Sequence, residues 1–240
     1  MSQESIEILK NYFAIPYGGH VFIFTNKITL EDIQQFSFSQ ILSHRNARDA
    51  QGLAGHSVAL AIFEEITEHM KGLSGKKVLD VGGNTGYFSF LAAEAGAEAT
   101  IIEKNTRQAN VAKAIADVKG LNVKIVNDSI QNYLEASTET YDCALMLNMF
   151  DQMLRADEFS AWETLMRISQ RSKTLYLMMG STEQMPTVKG LPTSTPSNIL
   201  PAKTVFQKPD YEVVMDKTVY KNYKVLATDI YENRQLQVYW

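Results

Sequence analysis

The sequence predicts an α/β fold built on a mostly parallel sheet, and three observations carry that expectation. Between Lys76 and Met179, short β-like runs alternate with longer runs of helical periodicity, the pattern of consecutive βαβ units. A glycine-rich turn, "VLDVGGNTGY" from Val78 to Tyr87, stands directly behind the first of these apolar runs, where α/β folds bring a ligand to the backbone. With 240 residues, 45% of them hydrophobic and 21% charged, the chain has the length and composition for one sizeable core.

Taken in order, residues 1–56 read as an N-terminal cap. It holds a short helix marked by Ile6, Leu9 and Phe13, an alternating piece "HVFIF", and a second helix opened by the capping pattern "TLED" at Thr29. Ser57 to Met70 places Ala59, Ile62, Phe63, Ile66 and Met70 on one helical face. The core, residues 57–180, then runs through the strands "KVLDV", "AEATIIE", "NVKIVN", "YDCALML" and "KTLYLMM". Between them lie the helices "GYFSFLAAEAG" and "TRQANVAKAIADVKG", each ending on a glycine, a short "SIQNYLEA", and "DEFSAWETLMRISQR" after the fourth strand. Five of the six prolines fall between Pro186 and Pro209, so residues 181–215 read as a lid-like insertion of loop or broken helix. Two β runs, "NYKVLATDIY" and "RQLQVYW", close the chain within residues 216–240, and the whole reads as a single domain.

Composition removes several function classes. A net charge of −4, with no basic cluster longer than Lys76-Lys77, argues against a nucleic-acid partner. No apolar run reaches the roughly 18 residues of a membrane span, and "MSQESIEILKNYF" lacks the order of a signal peptide, so a cytoplasmic protein without membrane insertion is expected. Cys143 is the only cysteine and sits in an apolar run, which suits a buried, inert thiol. Self-association is left open by the sequence.

The glycine turn admits two ligands. A dinucleotide site wants G-x-G-x-x-G, but counting from Gly82 the second and third positions are Asn84 and Tyr87. Asp80 would also set a carboxylate against a phosphate. The alternative aligns Asp80, Gly82, Asn84 and Gly86 with the D/E-x-G-x-G-x-G loop of class I S-adenosylmethionine methyltransferases, which this segment closely resembles. Asn at the middle position is a mild departure, since it tolerates the left-handed conformation better than other non-glycine residues.

What that resemblance implies is specific. The cofactor is S-adenosyl-L-methionine, and the sheet has seven strands with an antiparallel last strand. The loop contacts come from Asp80, Gly82, Gly83, Asn84, Gly86 and Tyr87. Glu103, with Lys104 beside it, closes the second strand 21 residues after Gly82 and would take the ribose hydroxyls. Asp128 would meet the adenine amino group with Ser129 and Ile130 beside the ring, and Leu147 and Asn148 would line the methionine side. The cap segments "IPYGGH" and "SHRNARDAQGL" resemble the methyltransferase domain of O-antigen chain-terminating enzymes, which methylate a polysaccharide phosphate; by that likeness Tyr17 and either Arg45 or Arg48 would hold the cofactor carboxylate. Asp151-Gln152 stands where those enzymes have a His-His pair, so their substrate does not transfer.

The expected reaction moves a methyl group to an oxygen, hydroxyl or phosphate, of a small polar molecule or glycan, with nitrogen as the alternative. Alignment of the two reactants supplies much of such an acceleration, and a neutral acceptor gains from a general base. His20, His44 and Asp151 are the candidates for that base. Metal-dependent relatives use an acid and an Asp-Asn pair after the fourth and fifth strands; Asn148 and "GST" occupy those places, so no metal is expected. A silent binding scaffold and a nicotinamide-dependent oxidoreductase are the competing classes.

Overall fold

The computed structural model describes residues 2–13, 35, 54–179, 211–227 and 235–240. Within them the chain order is α1 (Gln3–Phe13), α2 (Ala54–His69), β1 (Lys77–Val81), α3 (Tyr87–Glu94), β2 (Glu98–Ile102), α4 (Thr106–Lys119) and β3 (Val123–Val126). There follow α5 (Ile130–Ala136), β4 (Tyr141–Leu147), α6 (Phe150–Ala156), α7 (Glu158–Ser169), β5 (Ser172–Met179), α8 (Tyr211–Asp216), β6 (Tyr223–Ala227) and β7 (Gln235–Tyr239).

The seven strands form one sheet in the order β3-β2-β1-β4-β5-β7-β6. The first five pair in parallel, and β7 runs antiparallel to both β5 and β6, with a register shift between Val225 and Ala227. This is the expected sheet with its antiparallel last strand. Order reverses between β1 and β4: the chain winds outward from β1 through β2 to β3, then crosses back to β4. In open α/β sheets the crevice at such a reversal, beyond the carboxyl ends of the strands, is where ligands settle.

Alternation along the strands sorts the core into two layers. Val78, Ile101, Cys143, Leu145, Tyr176 and Val238 pack with Ile62 and Ile66 of α2, Phe90 of α3 and Ile115 of α4. Leu79, Val81, Ile102, Met146, Leu177 and Tyr239 face Leu134 of α5, Phe150 of α6, Leu165 of α7 and Val214 of α8. Buried on both faces, β4 reads as the near-continuous apolar run "YDCALML".

Local chemistry sets the helix limits. Asn105 caps α4 by accepting from the amides of Arg107 and Gln108, and the helix stops at Gly120 with φ 64°. Ser129 and Asp157 cap α5 and α7 in the same way. Gly96, with φ 85°, follows α3 as expected.

Three findings differ from the sequence reading. Helix α1 lies against α4, with Leu9 fully buried in the first core layer, so it belongs to the layer covering one sheet face. The remaining cap residues, 14–34 and 36–53, lie outside the described residues. A separate helix, α6, precedes the one expected after β4; Phe150, Met153 and Leu154 carry its apolar face at i, i+3, i+4 spacing. Helix α8 begins two residues after Pro209, inside the stretch read as the insertion, and its Val214 is fully buried in the second layer. No helix among the described residues is long and apolar enough to cross a membrane.

Candidate functional site

Parallel register brings four strand ends to one edge. Val81 pairs with Ile102, and Ile102 with Val126, while Asp80 stands beside Leu145 of β4. The loop after β1 begins with Gly82 at φ 69°, its amide donating to the Ile102 carbonyl at 2.8 Å. A Cβ on Gly82 would lie 2.5 Å from the Met149 sulfur, so the Met149 side chain of the loop after β4 packs directly over this glycine. At Gly83 a Cβ would fall 2.8 Å from Asp80 Oδ2, which ties this glycine to the acidic residue behind it. Asn84 adopts φ 54°, the left-handed conformation anticipated for it.

Two buried carboxylates define the electrostatics. Asp80 is 4% exposed and accepts a hydrogen bond from the Ser89 hydroxyl at 2.8 Å. Burial raises its pKa to about 6; the Ser89 hydrogen bond opposes that rise and the charge of Glu103 adds to it. Glu103 is 8% exposed and accepts backbone amides on both oxygens, Asn84 at 3.0 Å on Oε2 and Asn105 at 2.7 Å on Oε1. It therefore clamps the glycine loop to the start of α4.

At the next strand end, Asp128 Oδ1 accepts the Ser129 amide at 2.7 Å and the Asn132 side chain at 2.8 Å. Ser129 caps α5, and Ile130 is buried in the second layer. Asn127 donates to the carbonyls of Glu103 and Lys104 at 2.9 and 3.2 Å, joining the loops after β2 and β3. Beyond β4, Leu147 is half-buried, and Asn148 takes φ 62° while its amide donates to Met178. Gln152 holds the Asn148 carbonyl at 2.6 Å.

Asp151, in the first turn of α6, is 9% exposed and ion-paired with Arg155 at 3.6 Å. Its Oδ1 is buried with no hydrogen-bond partner among the described residues, and the same holds for Asn84 Oδ1 and Thr85 Oγ1. Buried polar atoms in folded proteins are nearly always paired. Asn84 and Thr85 lie in the loop after β1 and Asp151 in the first turn of α6, so the three buried oxygens stand just beyond the ends of two neighbouring strands, β1 and β4.

Not every residue from the sequence list turns toward the edge. The Tyr87 ring is 5% exposed and packs in the first core layer beside Phe88, where burial and then Glu64 push its hydroxyl up. Lys104 has an exposed side chain. Tyr17, His20, His44, Arg45 and Arg48 lie outside the described residues. Sequence reasoning missed Ser89, Thr85, Asn105, Asn127 and Met149. Ser89 alone left a trace, as a polar residue inside the apolar run "YFSFLAA" of α3.

Other chemistry-bearing groups serve packing. His69 Nδ1 lies 2.7 Å from the Tyr176 hydroxyl, edge-on to that ring, and burial lowers its pKa. Cys143 is fully buried, which pushes its thiol up to about 12. Among the described residues no three His, Cys, Asp or Glu side chains gather in a metal-holding group.

Known proteins resemble this chain in sequence and in fold. Residues 78–171 match the methyltransferase domain family. Over 95 residues the chain is 34% identical to a ubiquinone biosynthesis O-methyltransferase of Actinobacillus pleuropneumoniae serotype 7, covering 38% of this chain and 41% of that one. It thus spans about two fifths of the length of the curated relatives it matches. The fold is similar to that of the bifunctional kinase-methyltransferase WbdD, with TM-score 0.56, 16% identity, and coverage of 76% of this chain and 38% of that one. It is also similar to the magnesium protoporphyrin IX methyltransferase ChlM of Synechocystis PCC 6803 with bound S-adenosylmethionine, with TM-score 0.54, 12% identity, and coverage of 100% and 98%. Residues 78–171 thus match a methyltransferase domain family, and the chain shares the fold of these solved methyltransferases.

Proposed function

We propose that the edge formed by the loops after β1 to β4 binds S-adenosylmethionine, and that the chain transfers the cofactor's methyl group to an oxygen of a small polar molecule or glycan. The observation that carries this reading is the pair of buried acids, Asp80 and Glu103, at adjacent strand ends beside a glycine loop. A carboxylate there repels phosphate and attracts a cation. The unpaired oxygens of Asn84 and Thr85 extend the same acceptor-rich lining, which suits a ligand that presents ammonium and hydroxyl hydrogens.

When bound, the cofactor supplies an electrophilic methyl on a sulfonium. The chain's part is to hold and orient: Asp80 and the loop amides anchor one end, Glu103 takes the hydroxyls, and Asp128 with Ile130 frames the ring. Each Glu103 oxygen already holds one backbone amide and keeps a second acceptor position for a hydroxyl. Asp151, with its unpaired Oδ1, accepts the proton of a hydroxyl acceptor. By the resemblance of the cap segments, Tyr17 and Arg45 or Arg48 are assigned to the cofactor carboxylate, with His20 and His44 as further candidate bases; all five lie outside the described residues. Transfer to oxygen is supported by the O-methyltransferases among the relatives.

The test is transfer of isotopically labelled methyl from S-adenosylmethionine to polar metabolite and glycan fractions. A labelled product whose methyl is an ether or ester supports the reading. An N-methyl product corrects the acceptor class, and cofactor binding without any labelled acceptor favours a silent scaffold.

A further inference from the structure

We infer that the outer face of α7 is where two copies of this chain meet, in an antiparallel contact that lays Phe159 of each copy on Trp162 of the other. The inference stands apart from the cofactor reading and concerns a surface which that reading leaves unused.

Helix α7 turns Ala161, Leu165 and Ile168 into the second core layer. Phe159, Trp162 and Met166 follow one another at i, i+3 and i+7 and so share a different stripe of the helix. Phe159 is 80% exposed, the most of any large apolar side chain among the described residues, while Trp162 and Met166 are half-buried. Val219, whose amide donates to Ser169 Oγ at the far end of the helix, is exposed as well. Single exposed apolar residues are ordinary, but a row of them along one helix marks an interaction surface. Trp162 is backed by Phe150, edge-on with 5.0 Å between ring centroids, and Lys217 Nζ lies 5.4 Å from its own centroid.

The charges around the stripe select the occupant. Arg167, on the other exposed side of α7, is already paired with Glu163 at 2.6 Å and Glu135 at 3.5 Å. Glu158, one residue before Phe159, and Lys217, over Trp162, are exposed and have no ion-pair partner among the described residues. One aromatic is thus flanked by a spare acid and the other by a spare base, which makes the surface complementary to itself. A two-fold axis between Phe159 and Trp162 sets Phe159 on the partner's Trp162 and Glu158 against the partner's Lys217, each contact made twice. Four apolar side chains cover far less than the roughly 800 Å² per partner of a stable complex, so the dimer forms in proportion to concentration.

Sedimentation velocity of the full chain at low salt, from about 1 to about 100 µM, reads this equilibrium. Wild type passes from monomer to dimer across that range. Phe159→Glu stays monomeric throughout and melts at the wild-type temperature, because the side chain it replaces is mostly in solvent. Glu158→Lys and Lys217→Glu each weaken the dimer by about fivefold or more, and the two together in one chain restore it, a rescue that a purely structural role would not produce. A chain that is monomeric at every concentration overturns the inference and leaves the stripe to a different partner. A dimer that survives Phe159→Glu overturns it by placing the contact elsewhere, and a double variant no stronger than the single ones overturns the two-fold pairing of Glu158 with Lys217.

Discussion

Replacing Asp80 by asparagine separates what this residue costs the fold from what it gives the site. The side chain is 4% exposed with a hydroxyl, Ser89, as its hydrogen-bond partner, and its pKa is raised from 3.8 to about 6. A raised carboxyl pKa means that the folded state holds the proton more tightly than the unfolded chain does. Stability is therefore highest when both states are protonated, falls as pH rises between 3.8 and about 6, and stays reduced above that window. Two units at roughly 1.4 kcal/mol each place the cost of ionised Asp80 near 3 kcal/mol at pH 8, as an order of magnitude.

Asp80→Asn removes the charge and keeps an oxygen to accept from Ser89. The unliganded variant is thus expected to be more stable at pH 8 by about 1 to 3 kcal/mol, roughly 3 to 10 °C for a chain of this size, with the gain shrinking toward pH 4. Its affinity for S-adenosylhomocysteine falls about 10- to 100-fold through loss of a charge-assisted contact. Urea unfolding at the two pH values and calorimetric titration of the ligand measure both halves. A variant that is less stable at pH 8, or that binds as wild type does, refutes the reasoning.

The same ionisation links ligand binding to protons: the ammonium group of S-adenosylhomocysteine favours ionised Asp80, so its binding weakens as pH falls through about 6 and releases a proton there. Calorimetry in two buffers of different ionisation enthalpy reads that proton, and equal heats in both would contradict the linkage. Asp151→Asn is expected to leave cofactor affinity within twofold while lowering turnover about 100-fold or more, with the loss concentrated in kcat, if the acceptor must give up a proton. Unchanged turnover would assign Asp151 to the ion pair with Arg155 alone.

Much of this fold was legible because its local signals agree. The five parallel strands are short apolar runs bounded by Gly, Asn or an acid, and Gly96 and Gly120 stand at the helix ends where they were expected. Glu103 and Asp128 were visible as acids just beyond strands, since parallel register forces such residues to one edge. What spacing could not show was direction and partnership. Tyr87 follows the glycine loop directly, yet the first turn of α3 sends its ring into the core. Helix α6 hid in seven residues whose apolar face is satisfied by Phe150. Nothing in "GGNTG" distinguishes Asn84 or Thr85 as carrying unpaired oxygens, because pairing is a property of what the fold does or does not bring near them.

The central claim, that this glycine loop holds S-adenosylmethionine, is met most directly by the stabilisation of the purified chain by ligand. The account predicts that S-adenosylhomocysteine at 100 times its Kd raises unfolding stability by about 2.7 kcal/mol at pH 8, whereas NAD leaves it unchanged. Stabilisation by NAD, or no response to S-adenosylhomocysteine at any concentration, would contradict it.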